Sequence, residues 1–105
     1  MSQSDYTVSV DILAQIKMSN HIKFLANVSI PAAKRLREAY NTALKSLRSN
    51  PQRCPTYNAS IYIEEELQYL LISKRYRIVF EIVDDYVYVY DIQDCRQDDD
   101  KILYR

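Results

Sequence analysis

Apolar and polar positions alternate first at the amino-terminal end of the chain. Tyr6, Val8, Val10 and Ile12 are separated by Thr7, Ser9 and Asp11, the period-two pattern of a half-buried strand. From about Leu13 to Asn27 the period changes. Leu13, Ile16, Phe24 and Leu25, with Val28 just beyond, are set among lysines and polar residues, which predicts a moderately amphipathic helix. A second helix is predicted from Ile30 to Ser49. Ser29 supplies a cap, Pro31 fits the first turn, and Ala33, Leu36, Tyr40, Ala43 and Leu47 recur at spacings of three and four. Asn50-Pro51 and Pro55 then make residues 50–57 a connection.

The second half returns to period two and is rich in Tyr, Ile and Val, residues that suit a pleated surface. Tyr76, Ile78, Phe80 and Ile82 alternate with Arg77, Val79, Glu81 and Val83. Asp84-Asp85 makes a tight turn, and Tyr86, Tyr88, Tyr90 and Ile92 then alternate with Val87, Val89 and Asp91. A strand from about Leu67 to Ser73 joins this hairpin through Lys74-Arg75. The stretch from Ile61 to Glu66 suits either a helical turn or an edge strand. The expected architecture is α+β: an N-terminal strand, a helical hairpin, then a three-stranded antiparallel meander, with both helices on one face of the sheet. A chain of 105 residues supports one core, so a single domain over 1–105 is expected.

Composition narrows the chemistry. The chain has no glycine, so no glycine-rich loop cradles a phosphate, and a nucleotide cofactor is not expected. His21 is the only histidine, and no close cysteine pair joins it, so no metal site is expected; His21 reads as a partly exposed helix residue. Cys54 and Cys95 read as buried or half-buried thiols rather than a disulfide. The start Met1-Ser2-Gln3-Ser4-Asp5 is neither basic nor followed by an apolar stretch, and no apolar run approaches the roughly 20 residues of a membrane helix. A cytoplasmic protein without membrane contact is the expectation.

The net charge of zero conceals a division. Residues 16–57 carry eight basic residues and one acidic, whereas residues 58–105 carry six basic and eleven acidic. Within the second predicted helix, Lys34, Arg37, Asn41, Lys45 and Arg48 fall on one stripe beside the apolar face. Such a stripe suits a polyanion or an acidic partner, and suits equally an ordinary solvated helix face.

Two segments carry a resemblance. SIPAAKRLREAYNTALKSLRSNPQRCP, from Ser29 to Pro55, and RYRIVFEIVDDYVYVYDIQDCRQD, from Arg75 to Asp98, resemble the RelE/ParE toxin superfamily in order and in the Tyr76-Arg77 and Arg96 positions. The resemblance implies the toxin of a bacterial type II toxin–antitoxin pair, held silent by a cognate antitoxin. RelE-like members cut mRNA on the ribosome without metal, using basic residues and often a tyrosine; ParE-like members share the fold and poison DNA gyrase. By resemblance, Arg77 and Arg96 are phosphate clamps, since a guanidinium grips two phosphate oxygens at once, and Tyr104 is the candidate phenol. Lys74 and Arg75 in the turn, with Lys34, Arg37, Lys45 and Arg48, are candidate contacts to RNA or to a partner.

The chain departs from the RelE-like pattern at Gln68 and Leu70, where lysines are common, at the long spacing to Tyr104, and at Asp98-Asp99-Asp100, which repel phosphate. Ribosome-dependent mRNA cleavage is the leading expectation, with ribosome and mRNA as target; gyrase inhibition is the alternative, and a non-toxic binding module comes third. As ordinary surface groups, Arg77 would pair with Glu81 or Asp91 and Arg96 with Asp94. The alternating Tyr86, Tyr88 and Tyr90 read as core rather than as a base-stacking platform.

Overall fold

In the computed structural model, which describes residues 5–57 and 66–96, a four-stranded sheet is covered on one face by two helices. The strands are β1 (Thr7–Val10), β2 (Leu67–Ile72), β3 (Tyr76–Val83) and β4 (Tyr86–Asp94), and the helices are α1 (Ile12–Ala26) and α2 (Ile30–Ser46). Sheet order is β1-β4-β3-β2. The last three strands form the antiparallel meander, and β1 adds to β4 in parallel with Thr7 opposite Tyr86 and Val10 opposite Val89. The stretch 61–65, whose state the pattern leaves open, and Tyr104 lie outside the described residues.

Local chemistry sets the boundaries. The Asp11 carboxylate accepts from Leu13 N at 3.0 Å, an N-terminal cap that starts α1 at Ile12 and so takes Ile12 out of the strand alternation. Ser29 caps α2 as its sequence position predicts, accepting from Ala32 N at 3.2 Å. That helix ends three residues short of the expected Ser49. Its departing carbonyls are gathered by Arg53, whose Nη1 donates to Ser49 O and Asn50 O at 3.0 Å, while Nη2 reaches Ser46 Oγ at 3.1 Å. A 3-10 turn, Pro51–Arg53, follows.

Without glycine, the turns fall on residues that tolerate a left-handed backbone to different degrees. Asn50 and Asp84 adopt it at φ 54° and 53°, as their side chains permit. Ser73 and Lys74 adopt it consecutively at 51° and 61°, with Arg75 N donating to Ile72 O at 3.1 Å, a primed turn normally filled by Asn-Gly.

The main core lies on the helix face of the sheet, although Leu67, Val79 and Gln93 are buried on the opposite face. Ile72, Tyr76, Ile78, Phe80, Val87, Val89 and Ile92 face the helices and join Ala14, Met18, Leu36, Ala43 and Leu47 in one buried cluster. The tyrosines of β4 do not belong to it, contrary to the sequence reading. Tyr86 and Tyr90 are 44% and 45% exposed, whereas Val87 and Val89 are fully buried. The reason is a β-bulge: Val79 pairs with Asp91 but Phe80 pairs with Val89, so Tyr90 is an extra residue on β4. The bulge puts Ile92 on the same face as Val87 and Val89, where strict alternation would group it with the tyrosines. Compact valines then fill the space beneath the helices, and each phenol keeps its hydroxyl near water or a polar partner.

Candidate functional site on the open sheet face

The face away from the helices carries the Arg77 cluster. Strand register places Arg77 between Leu71 of β2 and Gln93 of β4, and Val79 between Tyr69 and Asp91. The guanidinium of Arg77 lies over two rings, those of Tyr57 and Tyr69, at 5.8 Å from each centroid. Those rings meet edge to face at 6.3 Å. Tyr57 comes from the connection before β2. Thr56 bridges Gln68, Tyr57 N donates to Leu67 O at 2.7 Å, and Tyr69 N donates to Pro55 O at 3.1 Å, so a short backbone pairing holds Tyr57 beside Arg77. A cation over an aromatic face contributes about 0.5–2 kcal/mol depending on how dry the contact is. Arg77 has two such contacts, and they fix its position.

A polar chain continues from this cluster. Tyr57 Oη donates to Gln93 Oε1 at 3.0 Å, Gln93 Nε2 donates to Asp91 Oδ2 at 3.0 Å, and Lys17 Nζ of α1 donates to Asp91 Oδ1 at 3.0 Å. Asp91 also accepts from Ile92 N at 2.9 Å. Further along, Tyr90 Oη donates to Glu81 Oε1 at 2.7 Å, and Tyr86 stacks on Tyr88 with ring centroids 5.6 Å apart.

A second cluster closes the end of the sheet on the helix side. Asp94, only 1% exposed, accepts from Arg75 Nε at 3.1 Å and from Arg75 Nη2 at 2.9 Å, and its Oδ1 also accepts from Arg96 N at 3.0 Å. Burial by itself raises the Asp94 carboxyl, but the Arg75 hydrogen bonds, the Arg96 N–H and the positive charges of Arg75 and His21 outweigh it and hold the group below the usual aspartate range. The same hydrogen bond pushes the Arg75 guanidinium up. His21 Nε2 donates to Ile92 O at 3.1 Å, and its ring sits 5.3 Å from that of Tyr76, whose phenol burial pushes up. Arg75 also lies over the Tyr76 ring at 5.2 Å.

The predicted residues therefore separate. Arg77 is in the aromatic cluster on the sheet. Arg75 is engaged with Asp94 at the sheet end, so the carboxylate that the sequence offered to the Arg96 side chain is gripped bidentately by Arg75. Arg96 contributes its backbone N–H to Asp94 and is exposed just past β4. Lys74 is exposed in the primed turn. Lys34, Arg37 and Lys45 are exposed along α2, and Arg48, exposed just past its end, meets Asp5 at 3.5 Å. Sequence reasoning missed Tyr57, Tyr69 and Gln93: Tyr57 reaches Arg77 through the pairing of residues 55–57 with β2, and Tyr69 and Gln93 through strand register. Asp94 was more legible: an acidic residue two positions after an inward Ile92 needs a partner inside. Among the described residues no three His, Cys, Asp or Glu side chains gather closely enough to hold a metal ion. Cys54 is buried, which pushes its thiol up, and Cys95 is half-buried; both are free thiols.

A strand, a helical hairpin and a meander in this order carry the Arg77 and Asp94 clusters, and one family comparison matches most of this chain. The profile of the ParE toxin of the type II toxin–antitoxin system, parDE, matches residues 13–99. The chain belongs to the ParE toxin family. No match was found among curated proteins. As a member of that family within the RelE/ParE superfamily, the chain is a type II toxin–antitoxin toxin, and its family implies a cognate antitoxin. Among the described residues of this ParE-family chain, no helix is long and apolar enough to cross a membrane.

Proposed function

We propose that this ParE-family toxin arrests growth by binding DNA gyrase, without cutting RNA. The observation that carries this reading is the composition of the open sheet face. Its described positions by register are Thr7, Ser9, Leu67, Tyr69, Leu71, Arg77, Val79, Glu81, Val83, Tyr86, Tyr88, Asp91 and Gln93, which include one cation and two carboxylates. Metal-free RNA cleavage requires cations against the pentavalent phosphate, and a polyanion is drawn to a surface dense in lysine and arginine. Arg77 would have to leave two tyrosine rings to clamp a phosphate. Gln68 and Leu70, at the positions where RelE-like nucleases carry lysines, turn to the helix side: Leu70 packs on the core and Gln68 Nε2 donates to Cys54 O at 2.8 Å. A half-buried sheet surface of tyrosine, leucine and one anchored arginine suits a protein target.

RNA cleavage, the leading expectation from sequence, keeps one supporting observation: Arg96 is exposed at the end of β4, three residues past Gln93, the partner of Arg77. Phosphate gripped there would make Arg96 the first residue to matter.

The antitoxin fits the other side of the helical layer. Lys34, Arg37, Lys45 and Arg48 form a basic stripe for an acidic segment, and β2 is an edge strand whose outer side is paired with residues 55–57 over Leu67–Tyr69 and lies open beyond them. Beside its exposed Leu71, an open groove of about 520 Å³ between α2 and β2 is lined by Arg35, Glu38, Ala39, Thr42, Ala43 and Leu70.

The test is induced expression of wild type and of Arg96→Ala, following growth and mRNA integrity, together with supercoiling by purified gyrase. Arrest with intact mRNA and inhibited supercoiling in both proteins is expected. Fragmented mRNA that disappears with Arg96→Ala would overturn the proposal in favour of cleavage.

A further inference from the structure

α1 is apolar on two flanks, and only one of them is used. Ala14 and Met18 are buried against the rest of the molecule, but Ile12, Leu13, Ile16 and Phe24 are 62%, 69%, 52% and 56% exposed. At 100° per residue these four fall within an arc of about 120°, on the side of the helix away from Ala14 and Met18. A helix apolar all round is normally buried all round. Single exposed apolar residues are ordinary, but four large ones aligned on one helix face mark a contact surface.

The charges at the ends of this stripe specify its occupant. Asp11 caps the N-terminal end, Lys23 sits in the last turn, both are exposed, and α1 itself contains no acidic residue. The stripe is thus negative at one end and positive at the other, unlike the uniformly basic stripe of α2. Two copies laid antiparallel would be self-complementary, as a two-fold interface requires. Ile12 then faces Phe24 of the second copy, Ile16 faces Asn20, and the Lys23 ammonium reaches the Asp11 carboxylate, with the same pairs repeated across the axis. A parallel arrangement would set like charges together.

We propose that α1 is a self-association surface through which two copies of this chain pair antiparallel. The surface lies on the helix that packs on β4, whereas the groove and basic stripe proposed for the antitoxin belong to α2 and β2. Four apolar side chains on each copy make a small interface, at the weak and transient end of protein–protein contacts.

Sedimentation equilibrium on the purified chain tests this over micromolar to near-millimolar concentrations. The average mass is expected to rise from 12.4 kDa toward twice that value as concentration increases. Ile16→Ser with Phe24→Ser should weaken association at least tenfold. Lys23→Glu, a single exposed charge reversal that leaves the core untouched, should weaken it severalfold, with the difference shrinking at high salt. A wild type that stays monomeric throughout would overturn the proposal, as would a dimer indifferent to Lys23→Glu and to the serine pair. Growth arrest is scored separately, so loss of dimer with toxicity intact leaves the gyrase reading standing, and the reverse result removes only that reading.

Discussion

The two faces of the sheet obey different rules although the same strands build both. The helix face is filled by Phe80, Ile78, Ile92, Val87 and Val89, all fully buried, and admits charge only at its end, where Asp94 is gripped by Arg75. The open face is a mosaic in which Arg77 rests on Tyr57 and Tyr69, Tyr86 stacks on Tyr88, and Asp91 is shared between Lys17 and Gln93. On the first face apolar area and shape set stability. On the second, individual polar and aromatic contacts position the side chains. Substitution should separate them.

The largest effect is expected from Phe80→Ala, which leaves a cavity at the centre of the helix face and should destabilise by about 3–5 kcal/mol. The matching substitution on the other face, Tyr86→Ala, should change stability by less than about 1 kcal/mol, because Tyr86 is nearly half exposed and loses one stacking contact. Urea unfolding of both variants checks the contrast; equal losses would mean that the open face is also core.

Asp94→Asn comes next. It removes one partner of a buried pair and should cost about 2–3 kcal/mol, somewhat less than a fully enclosed pair because Arg75 is partly in water. The wild type should show the same dependence through pH. The folded Asp94 carboxyl lies below its usual value, so its contribution is complete above the unfolded aspartate value of about 3.9 and is lost as pH falls through the lower folded value. Urea midpoints taken through the acid range should fall steeply for wild type and less for Asp94→Asn. Parallel curves would assign the acid sensitivity to another carboxylate.

The smallest expected effect is a gain. Lys74 holds a left-handed backbone at φ 61° next to Ser73 in the same region, and Lys74→Gly should relieve the steric strain and stabilise by about 1 kcal/mol. Loss of stability there would show that the Lys74 side chain makes a contact worth more than the strain.

Much of this architecture was legible from pattern. Tyr76–Val83 and its turn at Asp84-Asp85 follow from a clear period of two, and Ser29 with Pro31 announced α2, because propensity and capping act within a few residues. The open face was less legible. Alternation does not reveal that Tyr90 is an extra residue, and so it groups the tyrosines of β4 with Ile92 as core. A bulge is decided by how two strands pair, and one strand's sequence does not contain its partner's register.

The sequence by itself determined the order of elements, the basic stripe of α2 and the resemblance in Tyr76-Arg77 and Arg96, since each depends on residues close together along the chain. Tertiary structure alone decided the parallel addition of β1 to β4, the choice of Arg75 as the partner of Asp94, and the enclosure of Arg77 between Tyr57 and Tyr69. Those outcomes depend on which distant segments meet. A charged side chain takes the partner that folding brings within about 3 Å in a dry setting, whatever lies nearest to it in the sequence.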